Sequence, residues 1–290
     1  MHMDSKSIIG VYLDGKTLIA GRVRNGEIEK SVTVKVDYYA SEDSLINMMV
    51  DVISQIIDDS VVGIGIGAPS VVDVEKGIVY QVRQISSWKE VHLKDILEGH
   101  FGVKVYVNND ANTFTVGEKY FGLATEYDNI VGLILDIGVG AGIIFNGHLY
   151  SGTNCGAGEL GLNPYKDHDF EYYCGERYFN EKYGLDSEVL YQRALNKDKI
   201  ALAIYEQYGR DVGALIKIIM LNFDPEVVVL GGSCSKAFLF FKDEMNKVIK
   251  TFTYSHSLNN FRVLQSKNEG IAVLGAVALF YDANNNTIYK

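Results

Sequence analysis

Short apolar runs separated by turn residues open the chain, which is the pattern of a β-meander. Apolar stretches over 8–13, 17–23 and 27–36 are divided by Asp14-Gly15 and Asn25-Gly26, two dipeptides that favour tight hairpin turns. Apolar residues then recur every three to four positions over 44–57, which predicts an amphipathic helix. A buried strand over 61–66, a short helix over 92–99 and a strand over 103–107 are predicted to follow.

The second half of the chain repeats this plan. An apolar run over 130–135 enters a glycine-rich stretch over 136–142 and continues over 143–145, so we predict two strands joined by a long glycine loop. Helices are predicted over 186–195, 198–221 and 270–281, and a strand over 226–230. The repetition predicts a duplicated α/β protein with two lobes and a cleft between them. We place the smaller lobe at 1–111 plus 272–290 and the larger lobe at 112–271.

Composition narrows the class of protein. The 290 residues are 47% hydrophobic and include 29 glycines, as expected of an α/β protein with many turns. The formal net charge of −10 argues against nucleic acid or an anionic membrane as the main partner, because both attract a basic face. No apolar run is long enough for a membrane span, and the N-terminus lacks a signal-peptide pattern, so we expect a cytoplasmic location. Three widely spaced cysteines favour reduced thiols over a disulfide framework.

Asp110 is the candidate catalytic residue. It lies in an Asn108-Asn109-Asp110-Ala111-Asn112 motif directly after the predicted strand over 103–107, at the end of a strand where open α/β sheets build their sites. Phosphoryl transfer requires a carboxylate that accepts the proton of the attacking hydroxyl. The alternative is that Asp110 only caps a helix over 113–121. The glycine-rich stretch downstream favours the catalytic role.

Two glycine segments are candidates for nucleotide binding. The stretch over 136–142 separates two strands, so it differs from the strand-to-helix loop of Rossmann and P-loop proteins. Its glycines permit close approach of backbone N–H groups to phosphate, although a plain glycine hairpin would have the same sequence. Gly231-Gly232 could bracket an adenine or simply turn the chain. Glu159, in a glycine-rich loop over 152–161, could hold sugar hydroxyls or be an ordinary surface carboxylate.

The ordered set of motifs resembles the ROK family of sugar kinases and repressors, within the actin–hexokinase–heat-shock-protein-70 superfamily. The similarity extends along almost the whole chain. The matching features are the segment 65–69, Trp88, Asn109-Asp110-Ala111-Asn112, the segment 138–142, Gly147, Gly158-Glu159-Leu160-Gly161, the segment 222–226, Gly231-Gly232 and Gly275-Ala276. The resemblance implies a two-lobed actin-like ATPase fold, related to ribonuclease H, with the nucleotide and sugar bound in the cleft. It also implies a homodimer.

The resemblance implies a role for individual residues. Asp110 matches the catalytic base, and Asn109 beside it matches a residue that contacts sugar hydroxyls. Glu159 and Glu181 match two glutamates that bind the sugar, and Ser70 lies in a segment that lines the specificity pocket, where the family has glycine. The residues that match the nucleotide-binding loops are Asp14, Gly15, Lys16, Ile137, Gly138, Gly140, Gly231 and Gly232.

The chain departs from the family at two sites. The family's zinc ligands, one histidine and three cysteines, correspond here to Leu162, Tyr172, Cys174 and Phe179, so we expect no zinc and aromatic packing in its place. The first phosphate loop has Tyr12 where the family has the aspartate that faces Mg²⁺. Our hypothesis is that Asp136 supplies the missing carboxylate from the second loop, with Lys16 adding positive charge.

The sequence therefore predicts ATP- and Mg²⁺-dependent phosphorylation of a sugar hydroxyl, on a hexose or N-acetylhexosamine such as glucose or N-acetylmannosamine. A DNA-binding repressor is the less favoured alternative, since the first strand is predicted within about eight residues of Met1, which excludes a preceding helix-turn-helix domain. A non-catalytic sugar-binding protein is the other alternative, motivated by Tyr12 and Leu162. The presence of Asp110 together with both glutamates favours the kinase.

Overall fold

The computed structural model describes residues 6–14, 17–37, 39–82, 85–153 and 155–285. Its strands are β1 Ser7–Leu13, β2 Thr17–Arg24, β3 Glu27–Lys35, β4 Val61–Ala68, β5 Val71–Asp73, β6 Ile78–Tyr80, β7 Glu90–Val91, β8 Lys104–Asn109, β9 Ile130–Leu135, β10 Val139–Phe145, β11 His148–Leu149, β12 Pro164–Tyr165, β13 His168–Asp169, β14 Val227–Gly231 and β15 Arg262–Gln265. Its α-helices are α1 Glu42–Ser54, α2 Leu93–Phe101, α3 Asp110–Phe121, α4 Phe170–Cys174, α5 Arg177–Tyr183, α6 Ser187–Leu195, α7 Lys199–Phe223, α8 Phe238–Ile249, α9 Ser255–Asn260 and α10 Ile271–Asn285. Two short 3-10 helices cover Leu160–Leu162 and Ser233–Ala237.

The described residues fall into two compact units. The first unit lies within Met1–Thr125, His148–Ala157 and Asn268–Lys290, and the second lies within Glu126–Gly147 and Gly158–Lys267. The sequence-based division at residue 111 would separate α3 from the first unit. In the structure α3 packs on α10, which belongs to that unit, and the unit therefore extends to Thr125.

The sheet of the first unit has the order β3-β2-β1-β4-β8. The predicted meander is confirmed, because β1, β2 and β3 pair antiparallel in succession. Strand β4 pairs parallel with both β1 and β8, and the register sets Gly67 beside Tyr12 on one side and Asn108 on the other. The carboxyl ends of three parallel strands therefore meet at one edge of the sheet, where α/β proteins place their ligands.

Helices cover both faces of this sheet. Ile9 and Val11 of β1 belong to the buried cluster that includes residues of α1 and α2, whereas Ile8 packs with residues of α10. This division follows from the alternation of side chains along a strand. On the α10 face the backbones approach closely, since a Cβ on Gly10 or Gly65 would collide with carbonyl oxygens of α10. Helix α10 thus closes the core of the first unit.

The second unit is built on strands in the order β10-β9-β14-β15, with β9, β14 and β15 parallel. All five residues of β14 are buried, as expected of a strand covered on both faces. The long helix α7 packs along α8, and Gly209 and Gly213 bring it close to the α8 backbone. The predicted helices over 186–195 and 198–221 are confirmed as α6 and α7, within two residues at each end.

The predicted long glycine loop over 136–142 is wrong. Strands β9 and β10 pair up to Leu135 and Val139, so the turn contains only Asp136, Ile137 and Gly138. Gly140 and Gly142 lie within β10, where they pair with residues of β9. The β-branched residues Val139, Ile143 and Ile144 on either side of these glycines favour an extended strand, and glycine is tolerated there because the strand is held by tertiary packing.

The start of α3 also differs from the prediction, because the helix begins at Asp110 and not at residue 113. Helices α4, α5, α8 and α9, strand β15 and the small sheet β5-β6-β7 were not predicted. No helix among the described residues has both the length and the apolar character that a bilayer span requires.

Candidate functional site

The Asn-Asn-Asp motif forms the junction between β8 and α3. The Asn109 side-chain oxygen accepts a hydrogen bond from the Asn112 backbone N–H at 2.8 Å, so Asn109 is the N-cap of α3. Asn108 is buried, and its side-chain oxygen accepts two hydrogen bonds. The donors are the Asn109 backbone N–H at 2.8 Å and the side-chain amide nitrogen of Asn112 at 2.9 Å. The alternative in which Asp110 only caps the helix is therefore wrong, because Asn109 performs that task.

Asp110 is the first residue of α3 and is partly buried. One of its carboxylate oxygens accepts a hydrogen bond from the Ala111 N–H at 2.8 Å. The partial positive charge at a helix N-terminus stabilises a carboxylate in this position. The two preceding asparagines fix the backbone, so the structure holds the carboxylate of Asp110 at the carboxyl end of β8.

Tyr12 lies at the same edge of the sheet. A Cβ on Gly67 would lie 3.0 Å from the Tyr12 ring and 2.9 Å from the Thr113 methyl group, so the ring packs over the end of β4 beside the first turn of α3. Glycine at position 67 makes room for this ring. The position at which the family carries an acidic residue is thus filled by an aromatic side chain.

Asp14 closes the turn between β1 and β2. Its carboxylate accepts hydrogen bonds from the Thr17 N–H at 2.6 Å and from the Thr17 hydroxyl at 2.9 Å. Gly15 and Lys16, the other predicted phosphate-binding residues of this turn, lie outside the described residues. The carboxylate of Asp14 therefore holds its own turn, and its predicted nucleotide contact stays a prediction.

Ser70 follows β4 with a φ of 82°, in the left-handed region that favours glycine. Its hydroxyl donates to the backbone oxygen of Tyr80 at 2.8 Å and lies 3.2 Å from that of Gln81. These bonds tie the end of β4 to the sheet β5-β6-β7. The serine therefore has a structural use at a position where the family has glycine, and its predicted sugar contact is untested.

The two predicted nucleotide segments of the second unit lie side by side. Gly231 pairs with Ile134, so the exit of β14 is adjacent to the end of β9. The Asp136 carboxylate receives hydrogen bonds from the Ser233 hydroxyl at 3.0 Å and from the Ser233 N–H at 3.2 Å. It also accepts from the Ile137 N–H at 2.9 Å. The turn over Asp136, Ile137 and Gly138 is thereby bonded to the segment that follows β14.

Gly232 makes this approach possible. Its φ is 83°, and a Cβ at this position would collide with the carbonyl oxygen of Leu135. Any other residue would have to push β14 away from β9 and adopt a strained backbone. Glycine at position 232 is therefore required by the close packing of the two strand ends, whatever else it binds.

The two predicted sugar-binding glutamates belong to the second unit. Glu159 is exposed and follows Gly158, whose carbonyl accepts a hydrogen bond from the Ala141 N–H of β10 at 3.2 Å. Glu181 lies on α5 and forms an ion pair with Arg177 at 3.1 Å, and this hydrogen bond raises the pKa of the Arg177 guanidinium. The side chain of Glu181 is 51% exposed. An ion pair so open to solvent is weak, so the carboxylate can exchange its partner at little cost.

Aromatic side chains pack the segment that corresponds to the family's zinc site. Phe179 is fully buried with its ring 5.0 Å from that of Tyr208, and the Tyr208 hydroxyl donates to the Cys174 carbonyl at 2.6 Å. Burial raises the pKa of the Cys174 thiol well above its usual range, which disfavours the thiolate that zinc requires. Tyr172 stacks on His168 at 4.2 Å. The predicted aromatic packing is confirmed. In the part of the chain that the structure describes, no three His, Cys, Asp or Glu side chains form a metal-binding group.

Two contributors to the site were missed at the level of sequence. Asn108 and Ser233 both lie in motifs that the sequence singled out, but neither was assigned a role. Asn108 holds the β8–α3 junction from a buried position, and Ser233 bonds to Asp136. A hydroxyl directly after a glycine pair at a strand end was the available signal for Ser233. The partner of that hydroxyl lies 97 residues away and has no local signal.

Comparison with known proteins gives the family. The model of the ROK family matches residues 9–283. A glucokinase from Thermotoga maritima is 27% identical over 310 residues, covering 96% of this chain and 98% of that protein. The xylose repressor of Bacillus subtilis is 28% identical over 260 residues, covering 83% of this chain and 67% of the repressor.

A solved structure gives the fold. The ROK family glucokinase from Streptomyces griseus, in complex with glucose and AMPPNP, aligns with a TM-score of 0.81 at 22% identity, over 94% of this chain and 98% of that one. This confirms the predicted actin-like ATPase fold. Together with the match of the family model along nearly the whole sequence, it leads to one conclusion: the chain belongs to the ROK family.

Proposed function

We propose that the chain is an ATP-dependent sugar kinase in which Asp110 is the general base. The observation that carries the proposal is the fixed position of Asp110 at the junction of β8 and α3, at the carboxyl edge of three parallel strands. The partial positive charge of a helix N-terminus favours a carboxylate, and a carboxylate can accept the proton of a sugar hydroxyl. The similarity to a glucokinase over almost the full length of both proteins supports this chemistry.

The backbone of the second unit supplies the proposed phosphate contacts. The proposed contacts are Ile137 and Gly138 in the β9–β10 turn, and Gly231 and Gly232 at the end of β14. The side chain of Ile137 is 42% exposed, so this turn is open to solvent. A bound Mg²⁺ ion would supply positive charge that neutralises the charge of the ATP phosphates. The carboxylate of Asp136 already accepts three hydrogen bonds, which leaves one of its about four lone-pair sites for a contact with this ion.

The proposed acceptor is a hydroxyl of a hexose or N-acetylhexosamine, such as glucose or N-acetylmannosamine. Asn109, Glu159 and Glu181 are the proposed contacts to the sugar, with Ser70 at the edge of the pocket. Carboxylate and amide groups suit this task because they accept from and donate to several hydroxyls at once. We also expect a homodimer, as the resemblance implied.

A second candidate function is supported by Tyr12. Its ring packs where the family has an acidic residue, which would weaken phosphate and Mg²⁺ binding at the first turn. The similarity to a xylose repressor supports a sugar-responsive protein without catalysis. The two functions differ in one measurable property, the release of ADP.

The test is ADP release from Mg²⁺-ATP with glucose, mannose, N-acetylglucosamine, N-acetylmannosamine, fructose and 2-keto-3-deoxygluconate. We expect turnover on one of these sugars and a loss of about 10²–10⁴-fold in kcat for Asp110→Asn. Asp95→Asn is the control, because this carboxylate on α2 is 74% exposed and has no proposed role. If no sugar is turned over while one of them still raises the melting temperature, the non-catalytic function replaces the kinase.

A further inference from the structure

The turn over Asp136, Ile137 and Gly138 is the point at which three segments of the second unit meet. From one side, Ser233 bonds to the Asp136 carboxylate through its hydroxyl at 3.0 Å and its backbone N–H at 3.2 Å. Ser233 begins the 3-10 helix that leads into α8, and Gly232 before it provides no side-chain cap. The carboxylate of Asp136 therefore serves as the missing cap from a distant part of the chain.

From the other side, the start of α5 bonds to the backbone of the same turn. The Glu176 N–H donates to the Asp136 carbonyl at 2.8 Å. A Cβ on Gly175 would lie 2.9 Å from the Ile137 carbonyl oxygen and 3.1 Å from that of Asp136, so the two backbones are in close contact. Glu176 precedes α5 and also accepts from the Ser187 hydroxyl at 2.7 Å. The turn thus anchors the helix that carries Glu181.

The hydrogen bonds of Asp136 account for most of its acceptor capacity. One oxygen accepts from the Ile137 N–H and the Ser233 hydroxyl, and the other accepts from the Ser233 N–H. A direct bond to Mg²⁺ would have to use the one remaining lone-pair site, on the oxygen that accepts from the Ser233 N–H. Bonds to an ionised carboxylate are also stronger than bonds between neutral groups. The geometry favours a carboxylate that fixes structure over one that holds a metal.

We infer that Asp136 is a positioning residue, which fixes the β9–β10 turn, the exit of β14 and the start of α5 in one arrangement. The inference rests on the proposed function in one respect, namely that the turn binds ATP and α5 contributes Glu181 to the sugar site. Loss of the carboxylate loosens the nucleotide turn and the anchor of α5 together. Binding of both substrates therefore weakens, without a change in the requirement for Mg²⁺.

The first test uses the unliganded protein and does not depend on catalysis. Melting temperatures are measured for the unmodified chain, Asp136→Ala, Ser233→Ala and the double variant. Each single change lowers the melting temperature, and the double variant falls little below Asp136→Ala, because the hydrogen bond of the Ser233 hydroxyl has already been lost with the carboxylate. Asp186→Ala is the control, since that carboxylate caps α6 by accepting from Glu188 and Val189 and shares no bond with Ser233. Its effect adds to that of Ser233→Ala.

The second test measures KM for ATP and for the sugar, together with the Mg²⁺ concentration that gives half-maximal rate at saturating substrates. Asp136→Asn raises both KM values by about tenfold and Ser233→Ala by about threefold, with the Mg²⁺ midpoint unchanged. Glu176 and Ser187 remain as in the unmodified protein, so a rise in the sugar KM reports the anchor of α5 and not a direct sugar contact.

Two results would overturn the inference. Additive changes in melting temperature for Asp136→Ala and Ser233→Ala would show that the bond between these residues is not a structural link. A Mg²⁺ midpoint shifted several-fold by Asp136→Asn alone would assign the carboxylate to the ion. If the unmodified chain releases no ADP, the proposed function fails by itself. The inference is then decided by the melting-temperature series and by whether the sugar-induced rise in melting temperature is smaller in Asp136→Asn.

Discussion

The two units contain β-hairpin turns at the same topological position, and each turn carries an aspartate. In the first unit Asp14 follows β1 and bonds to Thr17, three residues further along. In the second unit Asp136 follows β9 and bonds to Ser233, which lies 97 residues away. The first carboxylate is exposed and stabilises only its own turn. The second is partly buried and joins separate segments, so the same residue type has a local role in one unit and a long-range role in the other.

The largest expected effect concerns the glycine beside each turn. Gly232→Ala places a Cβ against the Leu135 backbone at a φ of 83°, so we expect a loss of about 3 kcal/mol or more in the free energy of unfolding. Gly67→Ala meets only the side chains of Tyr12 and Thr113, which can move, and should cost about 1–2 kcal/mol. Urea unfolding measures both. Gly156→Ala, with nothing within 4 Å of its Cβ, is the control.

Removing each aspartate gives the next largest effect. Asp136→Ala leaves two donors of Ser233 without their acceptor, and we expect a loss of about 2 kcal/mol in the free energy of unfolding. Asp14→Ala breaks bonds in an exposed turn, where water replaces the carboxylate, and should cost about 0.5–1 kcal/mol. Chemical denaturation followed by circular dichroism measures the difference. Equal losses would contradict the contrast between a local and a long-range role.

The smallest expected effect concerns Tyr12, the residue that most separates the first turn from the family pattern. Tyr12→Asp restores an acidic group at the end of β1, and we expect kcat to rise about tenfold, corresponding to about 1.4 kcal/mol of transition-state stabilisation. ADP release at saturating sugar and ATP measures the change. Tyr12→Phe keeps the ring over Gly67 and should leave kcat unchanged. A rate that falls in Tyr12→Asp would show that the aromatic ring is itself part of a working site.

The sequence predicted the meander and the helices α1, α6 and α7 from local periodicity, but it missed helix α8 and strand β15. The meander β1 to β3 was predicted from its apolar runs and its two glycine-containing turns. Helices α6 and α7 were predicted from the spacing of their apolar residues, and each begins directly after an aspartate N-cap. The error at residues 136–142 arose because glycine was taken as a turn signal. In β10 the pairing with β9 overrides that preference, and no local pattern records the pairing.

The candidate site shows the same limit. Asp110 could be found from its place after a strand, and the motifs of the family added the glutamates and the glycine segments. The sequence could not predict which residue of Asn108-Asn109-Asp110 caps α3, since asparagine and aspartate cap helices equally well. The bond between Asp136 and Ser233 depends on two parallel strands that are adjacent in space but far apart in the chain. Contacts of this kind become visible only when the register of the sheet is known.

Helix α10 has a consequence for the order in which the protein folds on the ribosome. It is synthesised after every other described element, yet it fills the face of the first sheet formed by β1 and β4. Domains generally fold as units as they emerge during synthesis. The second unit contains no element beyond β15, so it can assemble while the first sheet still exposes the apolar face that α10 will cover. The face of the first sheet formed by β1 and β4 is therefore the last apolar surface among the described elements to be covered during synthesis.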